Sequence, residues 1–228
     1  MPRNGAAQKS HVLPVDVHPQ RKRFESDRRS IGASGDSYYE YLLKGWLVAR
    51  RGDDRPWARS LLQRYTAASG SILKEMVGRS KASGGKASVA WLGSRASVTA
   101  GLGKSMEHLA CFAPGMLALG AATGEAALQH HLPIARELMA TCRGMYTATR
   151  SGLAAELSEV DSRGQIKAAA SGYQAAGLLR PEASESLFLL YRLTGDETYR
   201  AWGWEIFQAI EKHARRPDSG AKTPRGSS

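Results

Sequence analysis

With 228 residues and 42% hydrophobic content, the chain is long enough for one sizeable core and has the composition of a soluble globular protein, one domain being the default. Its longest apolar runs, such as Phe112 to Ala122, contain Pro114 and Gly115 and fall well short of the roughly 20 residues that span a bilayer, so no transmembrane segment is expected. The net charge of +11 would suit nucleic acid, but the basic excess lies in residues 1–35, 50–104 and 212–228 while residues 105–211 are net acidic, so no nucleic-acid partner is expected.

In chain order, residues 1–35 lack a helical period and read as extended, with Pro14, Pro19 and Gly32 as breaks. Met1 to Gln20 has polar residues and prolines where a secretory signal would need a continuous apolar stretch. From Ser37 the pattern changes: Tyr38, Tyr41, Leu42, Gly45 and Trp46 recur at helical spacing behind Asp36 and Ser37 as N-cap candidates. A second helix is predicted from Pro56 to about Val77, followed by a loop from Gly78 to Gly85. Ser88 to Leu92 then reads as one strand of a short β-hairpin. Helical pattern returns from Met106 to Gly120, and again from His131 or Pro133 to about Thr149. After a polar connection, Pro181 opens a helix reaching Thr194, and Asp196 or Thr198 opens the last, reaching Ala214. Six helices, mostly in consecutive pairs with glycine-containing joints, predict an all-α chain of helical hairpins.

Several side chains leave two readings open at this level. Cys111 and Cys142 are two buried small hydrophobes in a reducing compartment, or one disulfide closing a loop of about 30 residues, worth roughly 3 to 4 kcal/mol, in an oxidising one. Glu182 directly after Pro181 favours the positive end of a helix dipole, and Asp36 serves as an N-cap, with no chemistry required of either. Tyr38, Tyr39, Trp46, Phe188, Trp202 and Trp204 lie at helical spacing and read as core aromatics.

Four segments decide between these readings. They are Asp36-Ser37-Tyr38-Tyr39-Glu40-Tyr41-Leu42-Leu43-Lys44; His108-Leu109-Ala110-Cys111-Phe112-Ala113-Pro114-Gly115; Leu178-Leu179-Arg180-Pro181-Glu182-Ala183-Ser184-Glu185-Ser186-Leu187-Phe188; and Tyr191-Arg192-Leu193-Thr194-Gly195-Asp196 leading to Trp202-Gly203-Trp204-Glu205-Ile206. In order, spacing and wording they resemble the signatures of glycoside hydrolase family 47, the class I α-1,2-mannosidases. The resemblance implies an (α/α)7 barrel of helical hairpins, of which residues 36–215 would be part of the catalytic domain. Residues 1–35, which lack a helical period, are expected as an extended segment of the same domain, and residues 216–228, rich in Ser, Gly, Pro and basic residues, as a disordered basic tail.

It also implies a calcium-dependent, inverting hydrolase that removes terminal α-1,2-linked mannose from high-mannose N-glycans of glycoproteins in the lumen of the endoplasmic reticulum or Golgi. Inverting glycosidases place two carboxyl groups about 6.5–9.5 Å apart, one protonating the leaving oxygen and one activating water. By resemblance Glu182 is the catalytic base and Asp36 a second acidic active-site residue, while His108, Arg180 and Glu185 line the substrate pit. Cys111 and Cys142 become one disulfide.

The match has departures. Ser34 stands where the family usually has arginine, and Ala155, in Gly152-Leu153-Ala154-Ala155-Glu156, where it usually has proline. The family's general acid and its calcium-binding threonine belong to portions this chain does not contain, so no metal ligand is expected within it, and a fragment with impaired or no activity alone is expected. The competing function is a non-hydrolytic relative that binds mannose glycans in glycoprotein quality control.

Overall fold

The computed structural model describes residues 10–50, 56–81 and 88–215. Among them are six α-helices: α1 (Asp36–Ala49), α2 (Pro56–Glu75), α3 (Ala113–Ala121), α4 (His131–Thr147), α5 (Glu182–Thr194) and α6 (Glu197–His213). They pack as consecutive pairs, α1 on α2, α3 on α4 and α5 on α6, and α3 touches both α1 and α5. The odd-numbered helices thereby share a layer. Helical hairpins are borne out, and most helix boundaries fall within a few residues of the sequence reading.

Each helix forms for local reasons and is kept by one buried stripe. In α1, Tyr39, Leu42, Leu43 and Trp46 fall on one face and are buried. Asp196 caps α6, its carboxylate accepting the Thr198 N–H at 3.0 Å. Gly195 ends α5 in the left-handed region at φ +70, where a side chain would be strained. The central helix α3 is buried along almost its whole length, and Gly115 is its point of close approach to α5. A Cβ there would lie 2.9 Å from Ser186 Cα, while the Gly115 N–H donates to Ser186 Oγ at 2.9 Å. The Ser186 hydroxyl in turn donates to the Cys111 carbonyl at 2.5 Å.

Two regions differ from the sequence reading. The helix expected from Met106 starts later, because Ser105–Glu107 is strand β5, paired antiparallel with β6 (Leu157–Val160), which pairs with β7 (Ile166–Ala168). A 3-10 turn, His108–Phe112, leads from β5 into α3. Likewise Val77–Arg79, read as the end of a helix and the start of a loop, is strand β3, paired antiparallel with β4 (Ala90–Leu92). Gly78 lies under the Trp91 ring, so close that a Cβ would sit 2.4 Å from it. Most of the remainder of the expected loop, and the basic tail from 216, lie outside the described residues.

Residues 10–35 run largely extended over the helices, with a two-stranded ladder of β1 (Val17–His18) and β2 (Arg23–Phe24). Val12 and Ile31 join the core, and the Leu13 N–H donates to Tyr39 Oη at 2.8 Å. The aromatic reading needs correction. Tyr39 and Trp46 are core residues, but Tyr38, Phe188 and Trp204 are exposed because they point away from the face each helix buries.

Candidate active site

Helix α1, helix α5 and the turn that enters α3 begin with Asp36, Glu182 and His108, respectively. The β5–β6 ladder sets the position of His108, because its register continues one step past Glu107 to a bond from the His108 N–H to the Glu156 carbonyl at 2.9 Å. Arg180 follows a left-handed turn: Leu179 has φ +52, a conformation that costs a non-glycine residue roughly 1–2 kcal/mol. Asp36 is placed from the other side. The Asp36 N–H donates to the Gly32 carbonyl at 3.0 Å, and the Glu107 carboxylate holds the same loop, accepting the Ala33 N–H at 2.8 Å and the Ser30 hydroxyl at 3.2 Å.

A cavity of about 210 Å³ is walled by His108, Tyr146, Glu156, Arg180, Pro181 and Ile206, among others; Glu182 lies next to its wall, between Pro181 and Ser184, and Asp36 does not line it. Arg180 Nε lies 2.8 and 2.7 Å from the two oxygens of Glu156, a nearly buried carboxylate. His108 is buried, with Nε2 2.7 Å from Tyr146 Oη and Nδ1 3.7 Å from Glu182 Oε2. Neither His108 Nδ1 nor Glu182 Oε2 has a hydrogen-bond partner among the described residues.

Burial, and secondarily the Arg180 charge, pushes the His108 pKa down to about 4, so the imidazole is neutral at neutral pH. Burial raises the Glu182 pKa. Its own N–H and Arg180 oppose that rise, and the negative charges of Asp36 and Glu156 add to it. A carboxylate made more basic in this way, beside a cavity, is suited to drawing a proton from water.

Glu182 is thus within electrostatic reach of Asp36 and Arg180, and His108 lies beside Glu182 and within reach of Arg180. Glu185 faces α1, where its carboxylate takes the Lys44 ammonium at 2.7 Å, an ammonium it shares with Glu40. Two cavity residues, Glu156 and Tyr146, are missed by the sequence reading as site residues. Glu156 ends the Gly152–Glu156 segment noted for Ala155, and Tyr146 lies within the helix expected from His131 or Pro133 to about Thr149. Cys111 and Cys142 form a disulfide.

The model of glycosyl hydrolase family 47 matches residues 3–223. Mannosyl-oligosaccharide 1,2-alpha-mannosidase MNS1 of Arabidopsis thaliana is 37% identical over 216 residues, which cover 90% of this chain and 34% of that protein. The endoplasmic reticulum mannosyl-oligosaccharide 1,2-alpha-mannosidase of Homo sapiens is 36% identical over 194 residues, 84% of this chain and 26% of that one. Among solved structures, the alpha-1,2-mannosidase from Trichoderma reesei superposes with a TM-score of 0.68 at 25% identity, covering 91% of this chain and 44% of that one. The chain therefore spans only 26% to 34% of the length of these two curated relatives, and its helical hairpins are part of an (α/α)7 barrel. On the family match and these identities, the chain belongs to glycosyl hydrolase family 47.

Proposed function

We propose that this chain supplies part of the active site of an inverting glycosidase that removes terminal α-1,2-linked mannose from high-mannose N-glycans in the lumen of the secretory pathway. The observation that carries the reading is Glu182, a carboxylate with a raised pKa beside neutral His108 and within reach of Arg180 and Asp36. The names of the Arabidopsis and human relatives support the substrate, and the Cys111–Cys142 bond supports an oxidising compartment.

In this reading Glu182 takes the proton of the attacking water, Asp36 keeps Glu182 basic, and Arg180 and His108 line the sugar pit with Glu185 on its α1 side. Family membership is consistent with calcium dependence. Among the described residues no three His, Cys, Asp or Glu converge as a metal site, and Glu185 is already paired with Lys44, so these residues do not by themselves fit the ion.

The test is Glu182→Gln in the full-length protein, read as mannose release from an α-1,2-linked mannobiose. The rate should fall by about 10²- to 10⁴-fold while substrate binding persists. No mannose release from the unaltered full-length protein, or an undiminished rate in the variant, overturns the proposal.

A further inference from the structure

The His108 ring is enclosed at both nitrogens. Nε2 meets Tyr146 Oη at 2.7 Å in a buried contact, with the two rings edge to face at 5.5 Å between centroids. Nδ1 faces Glu182 Oε2 at 3.7 Å, and both atoms are buried and unpartnered among the described residues.

A neutral imidazole carries one N–H, on one nitrogen or the other. Burial, with the charge of Glu182, raises the Tyr146 pKa, so the phenol keeps its proton at neutral pH. His108 Nε2 is the only hydrogen-bond partner of that phenol among the described residues. If Nε2 carried the imidazole proton, the phenol hydrogen would be buried without an acceptor and the Nδ1 lone pair would face a carboxylate oxygen. The opposite arrangement satisfies both groups.

We propose that Tyr146 is a positioning residue: it donates to His108 Nε2 and thereby holds the imidazole as the Nδ1–H tautomer, with that N–H aimed at Glu182 Oε2. At 3.7 Å the two are not hydrogen-bonded. Catalytic hydrogen bonds are often long before the substrate complex forms and tighten within it. The importance of the arrangement for turnover rests on Glu182 being the base; the tautomer does not.

The test is the nitrogen-15 spectrum of the His108 imidazole in residues 1–228 at neutral pH, which requires no activity. Nδ1 should resonate as a protonated nitrogen and Nε2 as an unprotonated one. In Tyr146→Phe, which keeps the ring and loses the donor, the Nε2 resonance should shift as its hydrogen bond is lost, and the Nδ1–H preference should weaken to what Glu182 alone maintains. A wild-type spectrum showing Nε2–H or an imidazolium overturns the proposal without reference to any variant. So does a Tyr146→Phe spectrum that is unchanged. If the tautomer is as proposed and the Glu182→Gln protein still turns over at full rate, the functional reading fails and the tautomer stands.

Discussion

Arg180 Nε sits between the two oxygens of Glu156, 2.8 and 2.7 Å away, and its charge also reaches His108 and Glu182. The pair is largely buried on the Glu156 side, so the cation is the main counter-charge of the cavity.

Removing it has a signed consequence. Arg180 opposes protonation of both His108 and Glu182, so Arg180→Ala should raise both pKa values. It should also destabilise the fold by about 3 kcal/mol, because Glu156 is left with a buried, unpaired charge. Side-chain titration by NMR and denaturant unfolding measure the two effects; a fall in either pKa contradicts the assigned electrostatics.

Acid should weaken the fold through two histidines. Burial lowers the pKa of His108 and of His131 to about 4, below the ordinary 6.5 of the unfolded chain. Between these values the unfolded state binds more protons, so stability is present above pH 6.5 and is lost as pH falls towards 4, by up to about 3 kcal/mol per group. Glu182, with its raised pKa, acts in the opposite sense, losing stability as pH rises from 4.5 through its folded value. Thermal unfolding across this range should show a falling Tm on acidification, and His131→Leu should flatten it. A Tm independent of pH between 6.5 and 4 contradicts this account.

Cys111 and Cys142 are separated by 31 residues, and their bond ties the entry to α3 to α4. Replacing both with alanine should cost about 3 kcal/mol on the chain-entropy account. Peptide mapping of non-reduced protein from an oxidising compartment should recover the linked pair; two alkylated thiols in folded material would refute it.

How far the sequence reveals the molecule depends on the length of each element. Helices such as α1 and α5 run for three turns or more, enough for a stripe like Tyr39, Leu42, Leu43 and Trp46 to declare its period. Strand β5, Ser105–Glu107, is too short for alternation to show, and its partner β6 begins only at Leu157, so Met106 reads as the start of a helix. The same distinction governs the site. Asp36, His108, Arg180 and Glu182 sit inside contiguous motifs. Tyr146 and Glu156 acquire their roles only through partners distant in sequence, and Lys44 claims Glu185 only because α1 and α5 approach each other.

Asp36 and Glu182, the two carboxylates at the starts of α1 and α5, are coupled through charge. Asp36 raises the Glu182 pKa through like-charge repulsion, a smaller contribution than burial. Asp36→Asn keeps the shape and the acceptor oxygen that meets the Ser37 N–H at 2.8 Å, so the helix start should survive. The charge is gone, and the Glu182 pKa should fall. In the full-length protein a less basic Glu182 takes a proton from water less readily, and the rate should drop, with the loss bounded by the roughly 10²- to 10⁴-fold worth of the base itself. Titration of Glu182 and mannose release are read on the same variant. A lowered pKa with a lowered rate fits Asp36 acting on the base. A lowered rate with an unmoved pKa would mean that Asp36 works directly on water or sugar, and the electrostatic role assigned to it here would be wrong.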